Sequence, residues 1–257
     1  MGVDVESFIR DGYTVVRGAF DKGTAARCRE LIWAELRERG IREDQSANWP
    51  EYVHIDSLGD EPFIAAAAAP TLVAACDELI GAGRWTPEIA AGRAVAVRFP
   101  SLGRGNSGYH IEGSFGPRGG PYRCNVRSRG RGLLALMLFG DVGPQDAPTR
   151  LVSGSHLYVP EFLAPYGEDG TVSDGCYWRP SVLCRPVVHA TGEAGDVFLC
   201  HPFIVHTATW PHTGVSPRMI AQPAVHVRDG FAIDGSDPAP VAQAIVAGLK
   251  MAAQSEA

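Results

Sequence analysis

The sequence predicts a mainly β protein with flanking helices, arranged as a helix-buttressed sandwich or jelly roll. Three observations lead there. Helical periodicity is concentrated in the first 90 or so residues and in a short closing stretch. From residue 93 the chain turns into short β-rich runs broken by Gly and Pro. With 30 Gly and 19 Pro among 257 residues, many turns are needed. Helices first and a series of short strands afterwards is the pattern of a sandwich with a helical cover.

In chain order, residues 4–20 join a short helix start, ESFIRDG, to an apolar strand, YTVVRGAF. Residues 23–39 carry Ala25, Cys28, Ile32 and Leu36 along one helical stripe, with Thr24 expected to cap the start and Gly40 the end. A loop holding Trp49 and Tyr52 follows, then a helix over roughly 61–81 that Pro70 must break. The runs AVAVRF, LLALMLF (133–139), TRLV (149–152), GDVFLC (195–200) and RMIAQPAVHV (218–227) read as strands, and 240–253 as a closing helix. No repeat or linker divides the chain. The expectation is one domain over 1–257: a helical buttress mostly in 1–90, a jelly-roll core over 93–230 and the C-terminal helix.

A formal net charge of -6 gives no global attraction to nucleic acid or an anionic membrane. The longest apolar run, near 63–76, is Ala-rich and interrupted by Pro70, so it does not read as a membrane span. The opening MGVDVESFIRDGY has early acids and no apolar signal core, so a cytoplasmic protein is expected. Six cysteines without a CxxC pair exclude zinc-ribbon and thioredoxin readings and fit reduced thiols.

The chemistry concentrates in GYHIEGS. On a strand, His110 and Glu112 (i and i+2) project from one face and reach one point. A second imidazole from a neighbouring strand would complete the two-histidine, one-carboxylate set of non-haem iron(II) oxygenases. His206, in GDVFLCHPFIVHTA, is the first choice; His201 competes, because a shifted register would turn it inward. His156 reads as a turn histidine holding backbone carbonyls. Twelve residues past His206, Arg218 opens an apolar strand; buried there, a guanidinium could grip a carboxylate through two parallel hydrogen bonds, although alone it would read as a strand-edge arginine.

Together these motifs resemble the phytanoyl-CoA dioxygenase family of Fe(II)/2-oxoglutarate-dependent oxygenases. FIRDGYTVVRGAF is similar to its N-terminal entry, YHIEGS to its first metal motif, APTRLVSGSHLYVP to its small-residue stretch, and GDVFLCHPFIVHTA with SPRM to its second histidine and its arginine. The resemblance implies a double-stranded β-helix, a cupin-like jelly roll. It implies Fe(II) on His110, Glu112 and His206, 2-oxoglutarate on Arg218, and O2 as oxidant. The default outcome is hydroxylation of a small molecule, with desaturation, ring formation or epoxidation open to the same site. Halogenating relatives vacate the carboxylate position, which Glu112 fills. Two departures stand out: Glu112 replaces the usual Asp, and Ala208 replaces a serine, so that Thr207, Thr209 or Ser107 would supply the missing hydroxyl. Ser107 is placed as a further co-substrate donor.

Between Glu112 and the strand at Leu133 lies an arginine- and glycine-rich segment with Arg118, Arg123, Arg127, Arg129 and Arg131. It reads as a solvated loop bordering the pocket, with contact to an anionic substrate as the functional alternative. The partners expected are a small-molecule substrate but neither nucleic acid nor membrane, for a monomer or homodimer. The rival to an enzyme is a catalytically silent jelly-roll binding or scaffold protein.

Overall fold

A computed structural model describes residues 2–86, 91–103, 108–116, 121–172 and 180–255. Ser107 and Arg118 fall outside them. The first half holds α1 (Val5–Asp11), β1 (Tyr13–Val16), α2 (Lys22–Glu38), β2 (Tyr52–Ser57), α3 (Glu61–Ala67), α4 (Pro70–Ile80), β3 (Arg93–Arg98), β4 (Arg123–Cys124) and β5 (Leu133–Leu138). Then come β6 (Arg150–Val152), α5 (Val159–Leu163), β7 (Thr171–Val172), α6 (Pro180–Leu183), β8 (Val187–His189), β9 (Val197–Cys200), β10 (His206–Thr207), β11 (Arg218–Ala221), β12 (Ala224–Val225) and α7 (Pro240–Ser255).

A seven-stranded antiparallel sheet runs β1-β9-β5-β11-β3-β2, with β12 alongside β5; a smaller sheet runs β10-β6-β8, and β4 pairs with β7. The large sheet is buried on both faces, and side-chain alternation sorts its residues between two cores. Leu134, Leu136, Leu138, Phe198 and Ile220 point inward, where Leu151, Ala190 and Ile204 from the smaller sheet and its neighbouring loops meet them. Their sequence neighbours Leu133, Ala135, Met137, Val197 and Leu199 point outward beneath Phe8, Ile32, Leu36, Leu72 and Leu79 of the helices. Truncating an inward leucine such as Leu136 to Ala removes roughly 2–5 kcal/mol of stability, because close-packed surroundings collapse only partly into the void. Among the described residues, no single helix is long and apolar enough to cross a membrane; α3 and α4 bend by 46° at their break and are core helices.

Two local expectations are corrected. The cap of α2 is Asp21, whose carboxylate accepts from the Thr24 backbone N–H at 2.8 Å and from its hydroxyl at 2.6 Å; Thr24 lies inside the first turn. Tyr52 belongs not to a loop but to β2, the edge strand paired with β3. Only Ile55 of β2 is buried, so its sequence carries little apolar signal. Gly40 does follow the end of α2, with φ 80°.

His156 and His201 form a buried pair under α1 and α7, ring centroids 4.8 Å apart. His156 Nε2 bonds the Ile9 carbonyl at 3.0 Å, and His201 bonds the Val241 carbonyl at 3.2 Å while accepting from the Phe203 N–H at 3.1 Å. Gly12 seals this pocket: its φ of 84° favours glycine, and a Cβ there would stand 2.4 Å from His156 Nδ1. Burial pushes the His156 imidazole down to about 4 and that of His201 well below its ordinary value. Between pH 6.5 and 4 the unfolded chain therefore takes up a proton at His156 that the folded chain refuses. Stability is present above that window and is lost as pH falls through it, by up to about 3 kcal/mol for His156. Urea midpoints at pH 7.5 and pH 5 should show this loss, and His156→Gln should flatten it.

Candidate metal centre and co-substrate pocket

His206 stands on β10, which is held by β6 in the register His206↔Leu151. His110 does not stand on a strand, contrary to expectation; it meets His206 through an isolated bridge. The bridge is reciprocal: each histidine donates its backbone N–H to the other's carbonyl at 3.0 Å. That pairing brings together residues 96 positions apart and sets their rings at a centroid distance of 4.4 Å. Glu112 follows two residues on, its Oε1 3.8 Å from His110 Nε2 and 3.4 Å from His206 Nε2.

Both rings are oriented by the same local device. His110 Nδ1 lies 2.9 Å from the Gly108 carbonyl and His206 Nδ1 3.1 Å from the Ile204 carbonyl, in each case two residues upstream. A carbonyl only accepts, so Nδ1 carries the proton and the Nε2 lone pair is left to face the centre. His206 Nε2 is buried and, despite its closeness to Glu112, makes no hydrogen bond of acceptable geometry. A buried imidazole lone pair without a donor, beside a carboxylate and a second aligned imidazole, is the donor set that suits a non-haem iron. The donor atoms of the three residues lie within 4.8 Å of one another, a spacing that suits a single ion. Burial alone would raise the Glu112 carboxyl, but its contacts with His110 and His206 and the charge of Arg131 hold it well below the usual carboxylate range. Its longer arm presents Oε1 to the histidines and Oε2 to Arg131, 4.0 Å away.

Deeper in the protein, a small cavity of about 80 Å³ joins His110 and His206 to Arg218, with Tyr52, Arg98, Thr149, Thr207, Ala208 and Gln222 also in its wall. Arg218 is 3% exposed and donates Nη1 to the Ala147 carbonyl. Burial, and then repulsion from Arg98, push its guanidinium down to about 9, a strong pull toward an anion. Sequence reasoning missed Arg98. The signal was available: in AVAVRF it shares the inward face with Ala96, as Arg218 does with Ile220. Of the proposed replacements for the serine, Thr209 donates to the Pro148 carbonyl, whereas Thr207 lines the cavity. Ser107 lies outside the described residues. His201 and His156 take no part.

A second cavity, of about 820 Å³, opens at His110 and Glu112 and is lined also by Tyr109, Tyr122, Arg131, Leu183 and Pro223. The arginine-rich segment borders it, but its described part is not a solvated loop. Arg123 donates to the carbonyls of Asp169 and Gly170, at 2.7 Å each, where β4 pairs with β7. Arg127 donates to the Phe231 carbonyl at 3.0 Å and pairs with Glu168 at 3.1 Å. These two guanidiniums tie the wall together. Arg129 lies over the Phe115 ring, and Arg131 donates to the Gly113 carbonyl beside Glu112.

A jelly roll that gathers two imidazoles, a carboxylate and a buried arginine at one end defines the class: a non-haem iron, 2-oxoglutarate-dependent oxygenase. The chain belongs to the phytanoyl-CoA dioxygenase family, whose profile matches residues 8–220. It is accordingly a 2-oxoglutarate-dependent dioxygenase using Fe(II), 2-oxoglutarate and O2. No curated protein sequence matches it. Among solved structures, it is similar to a hypothetical protein from Escherichia coli (14% identity, 88% of this chain, 68% of that one, TM-score 0.61). It also resembles the α-ketoglutarate-dependent carbocyclase SnoK of nogalamycin biosynthesis (18%, 87%, 82%, TM-score 0.56). A third is HygX from Streptomyces hygroscopicus, solved with nickel, 2-oxoglutarate and hygromycin B (16%, 83%, 82%, TM-score 0.51). These likenesses are in fold.

Co(II) titration followed by visible absorbance should separate the histidines. His110→Ala, His206→Ala and Glu112→Ala should each weaken binding by more than the roughly 10–100-fold typical of losing an outer partner of a ligand. His201→Asn should lower the melting temperature and leave Co(II) affinity within about threefold, since its hydrogen bonds go to backbone groups and its ring packs on Phe8, His156 and Phe203.

Proposed function

We propose that the protein hydroxylates a small-molecule substrate, with His110, Glu112 and His206 as the iron ligands and Arg218 as the anchor of the 2-oxoglutarate distal carboxylate. The observation that carries this reading is the meeting of His110, Glu112 and His206, with one cavity joining the histidines to a buried cation and a roomy one opening at His110 and Glu112. Iron bound there would supply oxidation of a substrate C–H bond, coupled to decarboxylation of 2-oxoglutarate to succinate and CO2. The chain's own residues orient the participants. The Gly108 and Ile204 carbonyls hold the imidazoles in one tautomer, and the histidine bridge sets their separation. Arg218 directs the co-substrate so that its keto acid end faces the histidines. The larger cavity admits substrate, and its volume suits a molecule of drug size.

Hydroxylation is favoured over halogenation because Glu112 fills the position a halide would need. Ring formation is the second reading: the carbocyclase SnoK shares the fold. The substrate reading is supported by HygX, whose structure holds hygromycin B on a similar fold. Succinate release with Fe(II), ascorbate and 2-oxoglutarate should exceed that of His206→Ala by orders of magnitude; equal release would leave the scaffold reading standing. Once a substrate is found, one labelled oxygen atom from O2 in the product marks hydroxylation, and its absence marks ring formation or desaturation. Arg218→Ala should weaken 2-oxoglutarate binding by roughly 2–5 kcal/mol with metal affinity retained, as loss of a desolvated charge pair does.

A further inference from the structure

Arg98 is 8% exposed and stands directly opposite Arg218 across the β3–β11 pair, on the same inner face of the sheet. Residues so paired have Cβ atoms only about 5 Å apart. Two buried guanidiniums side by side repel each other. Among the described residues no carboxylate forms an ion pair with either one, and Arg98 Nε and Nη1 and Arg218 Nε are buried without hydrogen-bond partners. Burial also lowers the Arg98 guanidinium from its ordinary value, with Tyr52 in opposition.

The surroundings of Arg98 are built rather than accidental. Its guanidinium lies over the Trp210 ring at 4.3 Å and the Tyr52 ring at 5.3 Å. Aromatic contacts occupy the faces of the planar cation, so its remaining donors point outward along its edge. The same cavity wall contains Arg98, Arg218, His110 and His206. A carboxylate has two oxygens with about four acceptor positions. Arg218 already gives Nη1 to the Ala147 carbonyl, so it cannot fill them all.

We propose that Arg98 is a second anchor of the co-substrate: Arg98 and Arg218 clamp the distal carboxylate of 2-oxoglutarate between them. The clamp makes the pocket selective for a dicarboxylic 2-oxo acid over a monocarboxylic one of equal length. This inference rests on the reading of the small cavity as the 2-oxoglutarate pocket. It adds a specificity-determining residue from a strand, β3, that carries none of the metal ligands.

Anaerobic titration of the Fe(II)-loaded protein with 2-oxoglutarate, followed by the charge-transfer absorbance of the chelate, tests it. Titration with 2-oxopentanoate, which has the same length and lacks the distal carboxylate, gives the selectivity. Arg98→Met should raise the 2-oxoglutarate Kd by about 10–100-fold, the cost of a lost charge-assisted pair. It should leave the 2-oxopentanoate Kd within about threefold, so the ratio of the two collapses. Arg98→Lys should recover part of that ratio, and it serves in place of the methionine variant should that one fail to fold. A melting-temperature readout adds an independent sign: Arg98→Met should melt no lower than wild type without co-substrate, because one of two repelling cations is gone, yet gain less on adding 2-oxoglutarate. An unchanged selectivity ratio in both Arg98 variants would overturn the inference and leave Arg98 as a stacking residue for Tyr52 and Trp210. If Arg218→Met also left the ratio unchanged, the pocket reading itself would fail, and the clamp with it.

Discussion

Because the large sheet is buried on both faces, a charged side chain on its inner strands has to find a partner inside the protein or be met by a ligand. The alternation that sends Leu134, Leu136, Phe198 and Ile220 to the inner core also sends Arg98 and Arg218 there. Apolar residues gain from that placement, whereas guanidiniums lose hydration without recovering it. Backbone geometry meets part of the demand: the Ala147 carbonyl that accepts from Arg218 belongs to a non-glycine residue at φ 50°. Strained backbone of that kind persists where its surroundings impose it, often at functional sites. What remains unsatisfied faces the cavity next to the histidines.

The candidate metal centre divides its constraints between short and long range. Each imidazole is oriented by a carbonyl two residues upstream, a contact nearly independent of the rest of the fold. Convergence of the two rings is a separate matter, decided by the backbone bridge between His110 and His206 and by the pairing of β10 with β6. Glu112 then follows from local chain direction, and Arg131 faces its outer oxygen from the far end of the arginine-rich segment. Imidazole orientation is thus robust to distant change, while the separation of the two rings depends on strand pairing.

The arginine-rich segment shows how composition misleads when backbone acceptors are ignored. Five cations without an acid in their own stretch read as a solvated loop or an anion site. The acceptors for Arg123 and Arg127 lie 41–104 residues away: the carbonyls of Asp169, Gly170 and Phe231, and the carboxylate of Glu168. Of the segment's described arginines, only Arg131, at the end nearest β5, belongs to the wall of the large cavity beside Glu112.

The sequence by itself determined the helices-then-strands order, the break at Pro70, the buried strands around LLALMLF, and the candidacy of His110, Glu112, His206 and Arg218. Periodicity, turn residues and motif spacing are local properties of a chain, and local properties can be read along it. The sequence left β2 as a loop, since an edge strand needs few apolar residues, and it left His201 competing with His206. Tertiary structure alone decided that contest, by locking His201 onto the Val241 carbonyl and by closing the bridge that turns His206 toward His110. It alone set Arg98 against Arg218. Register between strands more than a hundred residues apart is fixed by cross-chain hydrogen bonds and packing, and neither is written in the neighbourhood of either arginine.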